Sequence, residues 1–134
     1  MMLIPHLHFY GDCDAAITLY EKAFNTKAEE IVRSQGHCDK CSNDNHIAHA
    51  SMMIHGQVVY LNDRFEFANK EKLPCNASHL IVHFQSVEEL QSCYKYFENT
   101  SKIIDPFIET PYSKLCGNFI DKFGILWGFM LYTS

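Results

Sequence analysis

The first stretch of the chain alternates cleanly, with Leu7 and Phe9 on one face and His6, His8 and Tyr10 on the other, which predicts a strand. Gly11-Asp12 breaks that pattern. Ala15, Ala16, Leu19, Tyr20, Ala23 and Phe24 then recur at helical spacing, predicting an amphipathic helix that Asn25 ends. Residues 27–34 return to a strand pattern, and a polar stretch runs from Gln35 to Asn45. His46–Ile54 and Gln57–Asp63 predict two more strands, joined at His55-Gly56 by a hairpin-sized turn. Arg64 to Ser78 is mostly polar, contains Pro74 and reads as a connector.

The pattern then starts again. Leu80, Val82 and Phe84 share one face of a strand, with His79, Ile81 and His83 on the other. Ser86-Val87-Glu88-Glu89 has the form of a capping box, opening a helix that turns Leu90, Cys93, Tyr94 and Phe97 inward. Strands follow at about 102–109, 115–120 and 125–132, so each half reads β-α-β-β-β. A gap-free offset of 73 residues superposes His6 on His79, Leu7 on Leu80, Ile17 on Leu90 and Phe24 on Phe97. At an offset of 68, Gly56–Leu61 echoes Gly124–Phe129 and matches Tyr60 to Gly128. Two copies are too few for a solenoid. The repetition predicts an α+β protein made of two similar modules, about 1–66 and 75–134, within one domain spanning 1–134.

Composition narrows the function classes. With 47% apolar and 20% charged residues, the 134-residue chain has enough material for an ordinary globular core. Its formal charge of −5 provides no basic field for phosphate backbones, so no nucleic-acid partner is expected. The N-terminus lacks the basic and apolar regions of a signal peptide, and no apolar run approaches membrane-span length. The expectation is a cytoplasmic protein with no membrane partner. That compartment argues against pairing the six cysteines as disulfides.

The segments Phe9–Tyr20, His49–Gly56, Leu61-Asn62-Asp63 and Phe119–Trp127 now carry a family resemblance. The last, of the type Asp-x-Phe-Gly-x-x-Trp, is the most specific of them. The chain resembles the vicinal-oxygen-chelate superfamily of glyoxalases, extradiol dioxygenases and bleomycin- or fosfomycin-resistance proteins, and within it the PhnB-like branch. The resemblance implies two βαβββ modules whose curled mixed sheets enclose a small-molecule cavity, with the helices outside, commonly in a homodimer. Metal-dependent members place one ligand on the first and last strand of each module, commonly His and Glu. Carried onto this chain, those positions fall on His6 (Pro5 if the register slips by one) and His79, and on Tyr60 and Gly128. Both histidines are present and both carboxylates are missing.

Several readings of the candidate site stay open. Strand alternation groups His6, His8 and Tyr10, and also His79 and His83, with Tyr60 and Gly128 as the closing-strand walls of the same pocket. A zinc-like divalent metal at His6 and His79, acid–base chemistry by the imidazoles, and a merely polar pocket wall are all compatible with that grouping. Cys38 and Cys41, a Cys-x-x-Cys in the polar stretch, make a candidate zinc loop, although a strong zinc signature has two such pairs. Cys13 opens a helix, but Asp12 and Asp14 flank it and oppose a reactive thiolate. Asp63 and Asp121 read as turn and cap residues, and Trp127 as core. The functions in view are an enzyme acting on a small oxygenated metabolite, a non-catalytic drug or metabolite binder, and a zinc-loop interaction module.

Overall fold

The computed structural model describes residues 1–33, 46–64 and 78–132. The chain divides into two compact units, Met1–Leu73 and Pro74–Ser134. The first contains β1 (His6–Phe9), α1 (Cys13–Ala23), β2 (Ala28–Arg33), β3 (Ile47–Ile54) and β4 (Gln57–Asp63). The second contains β5 (Leu80–Phe84), α2 (Val87–Tyr94), β6 (Lys102–Thr110), β7 (Ser113–Ile120) and β8 (Leu126–Leu131). The order in each is β-α-β-β-β, and the fold class is α+β with two such modules.

Each unit holds a mixed four-stranded sheet, ordered β1-β4-β3-β2 in the first and β5-β8-β7-β6 in the second. The first and last strands of each unit pair in parallel, and the other neighbours are antiparallel. The parallel pairing follows from topology. A strand that returns to the start of its module after a helix and a hairpin runs alongside the first strand rather than against it. His55 (φ 49°) and Gly56 (φ 81°) form the β3–β4 turn, both left-handed as a two-residue hairpin of this type requires.

Each sheet buries the face that its own helix covers. In the first unit Leu7, Phe9, Ala50, Met52, Val59 and Leu61 meet Ala16, Ile17, Tyr20, Ala23 and Phe24. The buried helical stripe is rotated from the predicted one, with Cys13 and Ile17 inside and Ala15 exposed. In the second unit Val82, Phe84, Phe119, Trp127 and Phe129 pack with Leu90, Cys93 and Phe97. Rings dominate this core. Phe119 and Phe129 stand edge-to-face at 4.9 Å, and Phe97 lies 5.2 Å from Phe119.

The two helices begin differently. Ser86 Oγ accepts from the Glu89 N–H, while a Glu89 carboxylate oxygen accepts from the Gln85 N–H, one residue before the donor that the capping box predicts. Asp12 makes no such cap for α1. Asp63, at the end of β4, serves instead: its Oδ1 accepts from the Gly11 and Cys13 amides and its Oδ2 from the Ile47 amide. In the second unit Asp121 holds the β7–β8 connection instead, accepting from the Phe123 and Ile125 amides and the Trp127 indole N–H.

The gap-free 73-residue register holds at the helices and fails at the first strands. Val82 and Phe84 take the buried places of Leu7 and Phe9. The Phe9 carbonyl accepts from the Arg64 amide, and the Phe84 carbonyl accepts from the Tyr132 amide. Eight positions separate Phe9 from Ile17 but only six separate Phe84 from Leu90, so the second strand-to-helix connection is shorter by two. Ile81, not His79, is therefore the counterpart of His6, and His83 that of His8. The pairing agrees, since His6 lies opposite Tyr60 and Ile81 lies opposite Gly128.

Candidate functional site

Period-two alternation leaves the helix-free face of the first sheet to the alternate residues. These are His6 and His8 on β1, His49, Ser51 and Met53 on β3, and Val58, Tyr60 and Asn62 on β4. Pairing of β1 with β4 sets His6 beside Tyr60 and His8 beside Asn62. The rings cluster. His6 and His8 are 4.3 Å apart by centroid, His49 stands edge-on to Tyr60 at 4.8 Å, and His6 does so at 5.9 Å. Among the described residues, the polar atoms of His6, His49 and Tyr60 take no side-chain hydrogen bond.

His8 is held at both ring nitrogens. Its Nε2 is 3.0 Å from an Arg64 guanidinium nitrogen, which can only donate, so Nε2 accepts. Its Nδ1 is 2.7 Å from Asn62 Oδ1 and must donate there, which assigns the Nδ1–H tautomer. Partial burial, then His8, His49 and Arg64, lower the His6 pKa from its ordinary value of 6.5. Each of those causes favours an uncharged ring.

Tyr10 follows the end of β1 and is half-buried. The sequence grouped it with His6 and His8 by extending the alternation one step past the point where pairing stops. His49, Asn62 and Arg64 were not singled out. The period-two count along β4, continued through 60, 62 and 64, was the signal for two of them.

In the second unit the equivalent face is mixed, with Ile81 and His83 on β5, Asn118 on β7 and Leu126, Gly128 and Met130 on β8. Ile81 is exposed beside Gly128, and His83 lies 5.7 Å from the Tyr132 ring. His79 precedes β5, yet its ring folds over Gly128. A Cβ at Gly128 would stand 3.0 Å from His79 Cδ2 and 2.7 Å from Asn118 Oδ1. Asn118 is oriented by Asp105, whose carboxylate accepts from the Asn118 amide at 2.8 Å. The imidazole and the carboxamide thus occupy the space that a side chain at 128 would fill.

The donor set does not fit a divalent metal of the kind the family resemblance implies. The first- and last-strand positions are His6 and Tyr60 in one unit, and Ile81 and Gly128 in the other, with no carboxylate among them. The expected equivalence of His6 and His79 is corrected by the two-residue slip, and His8 has both nitrogens engaged. Among the described residues no group of three or more His, Cys, Asp or Glu side chains is disposed to hold a metal ion. Cys38 and Cys41 lie outside the described residues.

The buried Cys13 and Cys93 are poor nucleophiles. Burial, reinforced by Asp63 and Asp14, pushes the Cys13 thiol far above its ordinary range, and burial alone raises Cys93 to about 12. Among the described residues, no helix is long and apolar enough to cross a membrane.

Comparison with known proteins agrees with this architecture. The chain is 27% identical to the protein YjdN of Escherichia coli (strain K12), covering 95% of this chain and 92% of that one. A solved structure from Bacillus cereus, titled a putative 3-demethylubiquinone-9 3-methyltransferase and PhnB protein, superposes with a TM-score of 0.84 at 23% identity, covering 98% and 99% of the two chains. A glyoxylase/bleomycin resistance protein/dioxygenase domain from Frankia sp. EAN1pec gives 0.69 at 18% identity, covering 100% of this chain and 93% of that one. The family described as 3-demethylubiquinone-9 3-methyltransferase matches residues 1–130. The chain belongs to that family, the PhnB-like family, on the glyoxalase/bleomycin-resistance/dioxygenase fold.

Proposed function

We propose that the chain binds a small oxygenated aromatic molecule on the helix-free face of its first sheet, without a resident divalent metal at the family's strand positions. One observation carries the reading. The exposed His6 ring gathers with the half-buried rings of His49 and Tyr60, and their polar atoms take no side-chain hydrogen bond among the described residues, beside a His8 already fixed by Asn62 and Arg64. Clustered polar atoms of this kind, those of His49 and Tyr60 partly buried, favour a partner that brings its own donors and acceptors. Ring edges offer packing to a planar ligand. The family description supports the ligand class, because a demethylated quinol is a ring bearing neighbouring oxygens.

Tyr60 can donate to or accept from a ligand oxygen, and each unprotonated imidazole offers one donor and one acceptor. This supports binding and orientation. A second reading, proton abstraction from a ligand hydroxyl, draws on the lowered His6 pKa, which leaves that ring available as a base near neutral pH.

The test is a titration of the full chain with catechol, followed by the imidazole carbon–proton signals. Saturable shifts at His6, His8 and His49, with His55 at the β3–β4 turn unmoved, are expected. Shifts confined to other histidines, or no saturation, would overturn the reading. Calorimetry with zinc on a Cys38→Ser/Cys41→Ser variant checks the metal: micromolar binding lost in His6→Ala would restore a metal site to this face.

A further inference from the structure

Four polar side chains are buried among the described residues: Ser51, Asp63, Ser113 and Asp121. Three of them are bonded within the fold. Asp63 and Asp121 accept from backbone amides, and Ser113 Oγ lies 2.9 Å from the Leu115 carbonyl and 3.1 Å from that of Leu131. Ser51 is the exception. It is 9% exposed, and among the described residues its hydroxyl takes no hydrogen bond. Buried polar groups are bonded as a rule, so a hydroxyl left over points to a partner from outside the fold. The second unit repeats the position with the opposite outcome. Pairing puts Glu30, Ser51, Tyr60 and His6 in one row across the first sheet, and Asp105, Asn118, Gly128 and Ile81 in the matching row across the second. The second row closes on itself, because the Asp105 carboxylate accepts from the Asn118 amide and the His79 ring covers Gly128. In the first row no side-chain hydrogen bond links Glu30 to Ser51.

Shape leads to the same place. Ser51 carries the smallest side chain on the helix-free face of the first sheet, and it stands on an inner strand. Tyr60 and Glu30 flank it across the strands, while His49 and Met53 stand two residues away along β3 itself. A short side chain among four long ones is the floor of a depression, and the His49 and Tyr60 rings stand on its rim. We infer that Ser51 is a ligand-contacting, specificity-determining residue: its hydroxyl bonds one of two neighbouring oxygens on an aromatic ring whose edge enters the depression, and His49 and Tyr60 bond the other. The inference rests on the ring-binding reading and adds to it the residue that tells a ring with two adjacent oxygens from a ring with one.

Catechol and phenol share a ring and differ by that second oxygen, so both are titrated calorimetrically into the full chain. The unaltered chain is expected to bind catechol about fivefold tighter, the size of one net hydrogen bond. In Ser51→Ala that advantage should fall to within about twofold. A merely structural role for Ser51 would weaken both probes alike and keep the advantage, and that result overturns the inference. Urea melts give a second readout. A hydroxyl without a partner in the fold adds nothing to stability, so Ser51→Ala should hold the unfolding midpoint within about 0.3 M or raise it. A larger fall means that the hydroxyl is bonded internally, which also overturns the inference. Equal binding of both probes to the unaltered chain overturns the role of Ser51 and leaves the ring site standing. Failure of both probes to bind overturns the ring site itself. Because the comparison is made first on the unaltered chain, a misfolded variant does not decide it.

Discussion

The Asp121 carboxylate gives the sharpest quantitative test of the architecture. It is 4% exposed, and its Oδ1 accepts two amides while its Oδ2 accepts the indole N–H of Trp127, itself 1% exposed. In Asp121→Asn the amide either keeps its oxygen towards Phe123 and Ile125 and turns an NH2 against the indole, or flips and turns it against the two backbone donors. Both orientations lose a charge-assisted bond and leave a buried donor facing a donor, which costs about 3 kcal/mol. With a urea slope of about 2 kcal/mol per molar, the unfolding midpoint falls by about 1.5 M. Trp127→Phe removes the indole N–H, so in that background Asp121→Asn should cost only about 1 kcal/mol. The cycle isolates one pair. Urea melts followed by far-ultraviolet circular dichroism read all four proteins without depending on the tryptophan. A cost below about 1 kcal/mol in the unaltered background, or the same cost in both, refutes the assignment.

Two glycines and one histidine give further expectations. Gly117→Ala places a Cβ 2.8 Å from Phe107 Cγ, the base of a ring pinned 4.8 Å from Tyr94, and should cost about 1–3 kcal/mol in a urea melt. Gly128→Ala meets only the ends of Asn118 and His79, so it should cost less than about 1 kcal/mol while moving the His79 imidazole signal; a larger cost than Gly117→Ala would contradict the geometry. His6 has a folded-state pKa below its ordinary 6.5, so the unfolded chain binds the proton more readily and stability falls as pH drops through the range just below that value. His6→Gln should flatten the decline measured between pH 7 and 5, and an unchanged slope would assign it elsewhere.

Much of the fold was legible because burial acts on simple periods. Leu7 with Phe9, Val82 with Phe84, and the left-handed pair His55-Gly56 mark strands and a hairpin directly. The equivalence of the halves was less legible. Helical repeats tolerate the 73-residue register, but a connection two residues shorter shifts the strand beneath it by two, and a shift of two preserves the face. Nothing in the alternation betrays the slip. It surfaces only in pairing, where Ile81 rather than His79 lies opposite Gly128. For the site, His6, His8 and Tyr60 share a face by parity and adjacency. His49 arrives from β3, whose position beside β4 is fixed by the hairpin register, Ser51 opposite Tyr60, which a one-dimensional pattern does not display. The fixing of His8 by Arg64 depends on where the chain goes after β4 ends.

The way Asp63 holds α1 bears on the order in which the chain folds. α2 carries its own start signal in Ser86 and Glu89, three residues apart, so its first turn is specified by local sequence. α1 borrows its start from a carboxylate 50 positions downstream of Cys13, reached only after the hairpin has formed and β4 has come home. Closing that loop costs chain entropy before any contact rewards it. The two helices, alike in place, therefore belong to different stages of folding. The first turn of α2 is set by local chemistry. The first turn of α1 is secured late, in the same event that brings Tyr60 beside His6, so the ring cluster and the helix behind it form together.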